Sequence, residues 1–286
     1  MVSIRCSVAV RVIGGLLIFW KPRDGRDPRE FGAMDIEEHL NDKVLKEKYV
    51  NTMFDVLAPG YNLFTRVFSF GMDQRWKEQL IEEGTRRVGP ASHIVDLACG
   101  TGDFAATVAR RTGANVALGL DFSLQMLVEA KHCLRGQAIP VNLVACNMLQ
   151  LCIRDESVDI VSVGYGIRNT SDFGESLREI ARVLKPGGVL LSLDFYKPTR
   201  RAWRELFLWY MWHAGRLVGW LWHREPMAYG YISHSIRRYL TIPEFEDALR
   251  AAGLQIEWRQ SRLGGGIGLH VARRRMESRA GGPPSY

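Results

Sequence analysis

Apolar positions along the middle of the chain follow two different periods. Short runs rich in β-branched residues predict strands over 93–97, 116–120, 141–146, 158–163 and 189–195. Between them, helical spacing and capping residues predict helices over 104–111, 124–134 and 173–184. Strands that alternate with helices form a parallel sheet that is covered on both faces. The hydrophobic pattern therefore predicts an α/β fold.

The chain after residue 240 completes this sheet. Residues 241–244, Thr-Ile-Pro-Glu, can form a capping box and predict a helix that ends at Gly253. Segments 254–260 and 268–272 are joined by glycines at 264–266 and predict an antiparallel hairpin. The result is a seven-stranded, mostly parallel sheet with an antiparallel last strand.

Two segments interrupt the alternation. Residues 35–85 contain a charged helical stretch over 35–49 and an aromatic-rich run over 61–76, which predict cap helices on the core or a lid over an active site. Residues 197–240 hold five of the eight tryptophans, with arginines between them. This insertion is either a buried helical pair or an amphipathic cover that binds a lipid-like substrate or lies on a membrane interface. Its basic and aromatic mixture is also compatible with nucleic acid.

Both ends of the chain fall outside the predicted domain, 34–275. An apolar run over 8–20 is too short to span a bilayer. Three interpretations stay open for residues 1–33: a dispensable extension ahead of a start near Met34, a membrane-touching arm, or a targeting segment. We favour the first, with the extension disordered or dispensable. The Gly-, Pro- and Ser-rich tail, 276–286, is predicted to be disordered.

Composition and charge narrow the function classes only in part. The 286 residues are 47% apolar, enough for a sizeable core, and the net charge of +7 suits an anionic partner such as a membrane surface or nucleic acid. The five cysteines show no C-x-x-C pairing and no histidine cluster beside them. We therefore predict no metal site and no disulfide framework, as expected in a reducing compartment.

A loop of small residues follows the first strand of the predicted sheet. The run 93–103 changes from apolar residues to Gly100-Thr101-Gly102 and leads directly into a helix, which is the layout of a nucleotide-binding loop. Neither glycine carries a Cβ, so the backbone can approach a ligand closely there. Asp121 follows the second strand, where a carboxylate can accept hydrogen bonds from ribose hydroxyls.

The loop departs from the dinucleotide fingerprint in a way that indicates its ligand. The third glycine is missing, and Asp103 stands where a pyrophosphate would meet the helix. A carboxylate repels phosphate but attracts an amine or a sulfonium. The octapeptide at 96–103, Asp-Leu-Ala-Cys-Gly-Thr-Gly-Asp, resembles motif I of the class I S-adenosylmethionine-dependent methyltransferases, whose fold is Rossmann-like. The resemblance predicts S-adenosyl-L-methionine as cofactor.

Further segments resemble one family of that class, the C-methyltransferases of ubiquinone and menaquinone biosynthesis. They span roughly residues 45–275 in the family's order and comprise 61–76, 166–169, 182–195, 229–237 and 264–270. The chain has Asn62, Thr65 and Asp73 where the family usually has Asp, Asn and His, and Asp194 where it usually has Glu. These departures lie on the substrate side, so the resemblance predicts the reaction and leaves the quinone ring open.

The resemblance also implies which residues form the site. For the cofactor it points to Asp96 or Asp103 near the amino-acid portion, to Asn147 at the adenine amine, and to Gly100, Thr101, Gly102, Asp121, Met148 and Gly164. On the substrate side it points to Arg168, because a cation after the fourth strand can stabilise a developing phenolate. A surface salt bridge is the alternative for Arg168. Further candidates for hydroxyl contact or proton relay are Tyr61, Asp73 and Tyr231.

The predicted reaction is methylation of a ring carbon of a polyprenylated quinol, either demethylmenaquinol or a related demethyl-quinol. We expect a cytoplasmic protein that associates peripherally with the inner face of the membrane, with no nucleic-acid partner; a homo-oligomer stays open. One alternative is a methyltransferase for another small hydrophobic acceptor, for RNA or for protein. However, residues 164–167 are Gly-Tyr-Gly-Ile, where amino-directed enzymes often carry Asn/Asp-Pro-Pro-Tyr/Phe. A non-catalytic protein is disfavoured by the intact loop.

Overall fold

A nine-stranded sheet lies at the centre of the part of the chain that the structure describes, residues 10–13, 16–19, 42–58, 61, 65–66, 69, 71–136, 140–222 and 226–276. In this computed structural model the strands are β1 (Val10–Ile13), β2 (Leu16–Phe19), β3 (His93–Leu97), β4 (Val116–Asp121), β5 (Val141–Ala145), β6 (Val158–Gly164), β7 (Leu184–Phe195), β8 (Leu254–Arg262) and β9 (Ile267–Arg274). Their spatial order is β1-β2-β5-β4-β3-β6-β7-β9-β8.

The strands from β3 to β9 form the predicted seven-stranded sheet. Those from β3 to β7 pair in parallel, and β9 runs antiparallel to both β7 and β8. The central strands are buried along most of their length, as expected when helices cover both faces of a parallel sheet. The predicted fold, with its antiparallel last strand, is confirmed.

The helices are α1 (Lys43–Leu57), α2 (Asp73–Val88), α3 (Asp103–Thr112), α4 (Leu124–Cys133), α5 (Phe173–Val183), α6 (Arg201–Trp222), α7 (Pro226–Arg238) and α8 (Ile242–Ala251). Two begin at the caps that the sequence predicts. The Ser123 hydroxyl accepts a hydrogen bond from the Met126 amide at 3.1 Å, and Thr241 forms a capping box with Glu244.

One helix and one strand have bounds that differ from the prediction by five residues or more. The helix predicted over 35–49 continues to Leu57; its start is Asp42, whose carboxylate accepts from the Val44 and Leu45 amides, while 35–41 lies outside the described residues. The strand predicted from 189 begins at Leu184, so the Lys-Pro-Gly-Gly segment belongs to β7. A Cβ on Gly188 would lie 3.1 Å from two carbonyl oxygens of β6, so glycine lets the strands pair here.

The helices that precede β3 and the helices of the insertion that follows β7 pack into one cap. Tyr49 and Met53 of α1, Phe207 of α6, and Tyr231 and Ile236 of α7 belong to a single buried cluster that continues into the sheet. The rings of Tyr49 and Tyr231 lie 5.5 Å apart. The predicted helical cap is confirmed. The side chains of Trp220, Trp222 and Tyr229 lie outside those that the structure describes.

The N-terminal strands β1 and β2 form an antiparallel hairpin, and β2 pairs in parallel with β5. The rest of residues 1–33, predicted to be dispensable, lies outside the described residues, as do 277–286 of the predicted disordered tail. Whether residues 1–33 are dispensable stays a prediction. None of the helices within the described residues is sufficiently long and apolar to cross a bilayer.

Candidate active site

The carboxyl ends of the parallel strands open into a cavity of about 740 Å³, part of it continuous with solvent. Open α/β sheets bind ligands at this edge, where the strand order reverses, here between β3 and β6. We call this space the large cavity. Its wall on the sheet side includes five residues predicted from the sequence: Gly100, Asp121, Asn147, Met148 and Gly164. On the cap side, Glu47, Val50, Phe54 and Tyr61 close it.

The two glycines of the loop after β3 have different surroundings. Gly100 has a φ of +53°, and a Cβ there would lie 3.6 Å from the Tyr61 ring, at the cavity. Gly102 has a φ of +79°, and a Cβ there would lie 2.7 Å from Leu134. Glycine at 102 therefore serves the left-handed turn and the packing of Leu134. Thr101 is buried, and neither it nor Gly102 is part of the described cavity wall.

Asp121 is fixed by the backbone of two loops. The Gly100 amide donates to its Oδ2 at 2.8 Å, and the Ser123 amide donates to its Oδ1 at 2.9 Å. Burial raises the pKa of Asp121 to about 6, and the backbone hydrogen bonds oppose this only in part. At neutral pH the side chain is therefore an oriented carboxylate at the cavity wall.

Two more carboxylates lie beside the loop. Asp96 is buried at the end of β3 and accepts from the Ser162 hydroxyl at 2.6 Å; burial raises its pKa to about 7. Asp103 accepts from Lys77 Nζ at 2.9 Å and from Gln74 Nε2 at 2.8 Å. Burial alone would raise the pKa of Asp103, but these contacts outweigh it and lower the pKa. This end of the sheet thus carries a concentration of negative charge.

A second, smaller cavity of about 340 Å³, part of it continuous with solvent, adjoins the first on the substrate side predicted from the sequence. Tyr61 and Tyr165 line both cavities and so stand between them. The wall of this small cavity is otherwise formed by Thr65, Ser69, Arg168, Phe195 and Ile232. At this cavity, residues of the N-terminal cap, the end of β7 and the insertion helix α7 surround the buried side chain of Arg168.

Arg168 lies in a buried ion pair, so the surface salt bridge was the wrong alternative. Its Nη1 lies 2.8 Å from Asp194 Oδ1 and also donates to the Tyr165 carbonyl at 2.6 Å. The guanidinium lies 5.3 Å from the centre of the Phe195 ring. Its Nε is buried and has no hydrogen-bond partner among the described atoms. The guanidinium therefore places its positive charge at the wall of the small cavity.

The other two predicted catalytic residues lie behind the described cavity walls. Tyr231 is buried, and its hydroxyl donates to Asn169 Oδ1 at 3.2 Å. Asp73 is also buried; it accepts from the Ser69 hydroxyl at 3.1 Å and lies 3.5 Å from Lys77 Nζ. The structure therefore brings together Arg168 and Tyr61, whereas Tyr231 and Asp73 can act on the site only through neighbours.

Sequence reasoning missed Tyr165. Its hydroxyl is buried and has no partner among the described atoms, although the side chain lines both cavities. Its φ of +60° is unusual for a residue other than glycine, and such backbone strain concentrates at functional sites. The available signal was its position directly after β6, at the carboxyl end of a central parallel strand.

Comparisons with known proteins identify the family of the chain. The sequence profile of the ubiE/COQ5 methyltransferase family matches residues 42–274. The chain belongs to this family. Members of the ubiE/COQ5 family are S-adenosylmethionine-dependent methyltransferases, and the chain is therefore an enzyme of this type. The family assignment agrees with the cofactor predicted from the loop at 96–103.

Two relatives of this ubiE/COQ5 family member are named demethylmenaquinone methyltransferase. The protein from Desulfitobacterium hafniense is 31% identical over 85% of this chain and 97% of its own length. The protein from Lactiplantibacillus plantarum is 31% identical over 72% of this chain and 87% of its own length. The chain thus spans most of the length of both relatives.

Solved structures share the fold at lower identity. The YcgJ protein from Bacillus subtilis has a TM-score of 0.53 at 18% identity, over 71% of this chain and 99% of that one. Geranyl diphosphate C-methyltransferase from Streptomyces coelicolor, in complex with S-adenosyl-L-homocysteine, has a TM-score of 0.52 at 16% identity, over 70% of this chain and 80% of that one. These similarities support the class I methyltransferase fold.

Proposed function

We propose that this enzyme methylates a ring carbon of a polyprenylated demethyl-quinol, with demethylmenaquinol as the first candidate. The main observation that supports this proposal is the pair of adjoining cavities, which share Tyr61 and Tyr165 in their walls. The large cavity lies at the acidic cofactor loop, and the small one has three aromatic residues in its wall beside a buried arginine. The names of the two relatives support the same acceptor.

The residues of the large cavity fit S-adenosylmethionine. Asp121 can accept from the ribose hydroxyls, and the loop at Asn147 and Met148 can contact the adenine. Asp96 and Asp103 supply negative charge for the cationic amino-acid end. When bound, the cofactor supplies an electrophilic methyl group on a sulfonium. A Cβ on Gly100 would point toward the Tyr61 ring at the wall of the large cavity, so glycine leaves this space free for the cofactor.

The residues that line the small cavity suit a quinol ring. The ring carbon becomes nucleophilic when a ring hydroxyl loses its proton, and the cation of Arg168 stabilises the resulting phenolate. Tyr61 and Tyr165 can orient the ring between the two cavities. The ring carbon gains the methyl group and loses its own proton, which restores the aromatic ring. Closure by the cap excludes water and fixes the approach, and such positioning contributes roughly 7–11 kcal/mol in well-oriented reactions.

The direct test is a methyl-transfer assay with purified protein and deuteriomethyl-labelled S-adenosylmethionine. We expect demethylmenaquinol to gain one labelled methyl group on a ring carbon, as seen by mass spectrometry. In a deletion strain, the quinone pool should lack one CH₂ unit. A normal quinone pool in the deletion strain, together with labelling of RNA or of a non-quinone acceptor, would contradict the proposal.

Removal of the Asp121 carboxylate should weaken cofactor binding. We expect Asp121→Ala to cost roughly 1.5–3 kcal/mol in binding S-adenosylmethionine, because hydrogen bonds to a charged group are lost. Calorimetric titration measures this, and Asp155→Ala is the matched control, since Asp155 pairs with Arg182 away from the described cavity wall. Equal affinity of Asp121→Ala and the wild type would remove Asp121 from the site.

Cofactor affinity should also depend on pH. Burial raises the pKa of Asp96 to about 7 and that of Asp121 to about 6. Each carboxylate attracts the cationic cofactor only when ionised, so affinity should fall as the pH falls through these values. Titrations between about pH 5 and pH 8 measure the profile. In Asp121→Asn the decrease near pH 6 should disappear; a flat wild-type profile would contradict the assignment.

We further propose that α6 rests on a membrane surface. Trp203, Leu206 and Trp209 recur on one side of this helix, and Leu206 is 55% and Trp209 60% exposed. Arg200 and Arg201 at the start of the helix are exposed as well. Tryptophan and arginine are favoured at membrane interfaces, and a quinol with a prenyl tail resides in the bilayer. We propose that this contact is made with the cytoplasmic face of the membrane.

Loss of an exposed tryptophan should weaken membrane binding. We expect Trp209→Ala to lower affinity for anionic vesicles by about 1–2 kcal/mol, or roughly 5- to 30-fold, with Val128→Ala on α4 as the control. KM for a long-tailed quinol should rise much more than KM for a short-tailed analogue.

Replacement of the half-buried Trp212 by alanine tests the alternative of a tail channel. Equal losses with both substrates would indicate core packing instead.

A further inference from the structure

A third cavity, of about 650 Å³, lies on the other side of Arg168. We call it the cationic cavity. Its described wall contains three cations, Lys46, Arg168 and Arg238, and no Asp or Glu. The remaining described wall residues are mostly hydroxyl-bearing: Thr170, Ser171, Phe173, Ser235, Tyr239 and Leu240. Neither the cofactor nor the quinol of the proposed reaction accounts for this concentration of positive charge.

Lys46 is the central cation of this wall. Its Nζ donates to the Thr170 carbonyl at 2.5 Å and to the Arg168 carbonyl at 3.4 Å, so its hydrogen bonds go to neutral oxygens. Burial, together with the charges of Arg168 and Arg238, lowers the pKa of Lys46 to about 8. An ammonium has three N–H donors, and one remains for a ligand. An anion would offset the repulsion among these cations.

Two buried donors of the same wall have no hydrogen-bond partner among the described atoms. They are the Tyr239 hydroxyl and Arg168 Nε, and both residues are more than nine-tenths buried. Buried polar groups normally find partners, so each is an unexplained donor beside a cavity. Here the cavity itself offers the explanation, because an oxygen-bearing ligand within it could accept from both.

The acids nearest in sequence are engaged elsewhere. Glu47 accepts from the Ser171 hydroxyl at 2.6 Å and lines the large cavity instead. Asp172 caps α5 and pairs with Lys43 at 2.9 Å. Asp194 lies behind the wall and compensates Arg168 alone. The cationic cavity thus keeps a positive field, to which the start of α5 at Phe173 adds its helix dipole.

We propose that the cationic cavity is a binding site for a phosphate group, held by Lys46, Tyr239 and Arg168. A phosphate group presents more oxygens than a carboxylate, in several directions, which suits donors from α1, from the residue directly after α7 and from the loop after β6. The phosphate can belong to a phospholipid headgroup or to a free phosphate ester. Because Arg168 lines this cavity and the small one, an occupant would lie next to the methyl acceptor.

The test is calorimetric titration of the full-length protein with inorganic phosphate. We expect saturable binding that weakens about tenfold or more in Lys46→Met, as for loss of a hydrogen bond from a charged donor. Lys48→Met is the matched control, because it removes the same charge from the same helix but lies outside the described cavity wall. Tyr239→Phe keeps the ring and its packing against Tyr196 and Phe245, and should weaken binding severalfold.

Vesicles distinguish the two sources of phosphate. If the ligand is a lipid headgroup, Lys46→Met weakens binding to phosphatidylglycerol vesicles, and inorganic phosphate competes. If it is a free ester, vesicle binding is unchanged in this variant while phosphate binding is lost. Absence of saturable phosphate binding to the wild type would overturn the proposal. So would equal weakening in Lys46→Met and Lys48→Met, or unchanged phosphate affinity in both Lys46→Met and Tyr239→Phe. Circular dichroism spectra confirm that each variant is folded.

Discussion

Replacement of Arg168 by methionine should lower kcat by roughly 10²–10³-fold and lower the free energy of unfolding by about 3–5 kcal/mol. The first effect follows from loss of the only described cation in the wall of the small cavity, where phenolate charge would develop. The second follows because Asp194 is buried, and its charge would be left without the guanidinium. Steady-state kinetics and urea unfolding measure the two effects.

A second substitution separates stability from catalysis. In Arg168→Met with Asp194→Asn, no carboxylate is left uncompensated, so much of the lost unfolding free energy should return. Activity should stay low, because the cation is still absent. Asp194→Asn alone keeps the cation but removes the charge that orients it, so it should lose less activity than Arg168→Met. If the double variant recovered wild-type kcat, Arg168 would be a purely structural residue.

Replacement of Lys77 by methionine should also lower the free energy of unfolding by about 3–5 kcal/mol, since a buried ion network loses the only cation among its described members. Lys77 Nζ lies 2.9 Å from Asp103 and 3.5 Å from Asp73, which is 1% exposed. Cofactor affinity should fall as well, because Asp103 begins α3 directly after the loop that follows β3. Urea unfolding at neutral pH and calorimetry measure both effects.

The matched control replaces Lys77 by methionine and Asp73 by asparagine together. The amide can keep the hydrogen bond with Ser69 and carries no charge, so the share of stability lost through Asp73 should return, while Asp103 stays without its cation. The pH dependence gives a further check. The pKa of Asp103 in the folded wild type is below its ordinary value. The pair therefore stabilises the fold fully above the ordinary pKa, and this contribution is lost as the pH falls through the lowered pKa of the folded state. The deficit of Lys77→Met should therefore shrink in acid; a constant deficit would exclude Asp103 as the partner that matters.

Local patterns were sufficient for the sheet and for the cofactor loop. The run ending at Gly100 specifies strand, turn and helix through neighbouring residues, and Ser123 and Thr241 cap their helices through contacts within one turn. Such interactions join residues that are close in sequence, so spacing reveals them. The end of α1 was misjudged for the opposite reason. Its last two turns are stabilised by burial of Met53 and Leu57 in the cluster between the cap and the sheet, which the charged start of the helix does not indicate.

The sequence by itself determined the fold class, the family and the position of Asp121 and Arg168 at the ends of strands. Only the tertiary structure decided that Arg168 pairs with Asp194, that Tyr165 stands between two cavities, and that Asp73 lies under Lys77 away from their walls. It also assembled the cationic cavity from three distant segments. The physical reason is range: hydrophobic period and capping act within a few residues, whereas burial and charge pairing depend on which segments meet when the cap closes on the sheet.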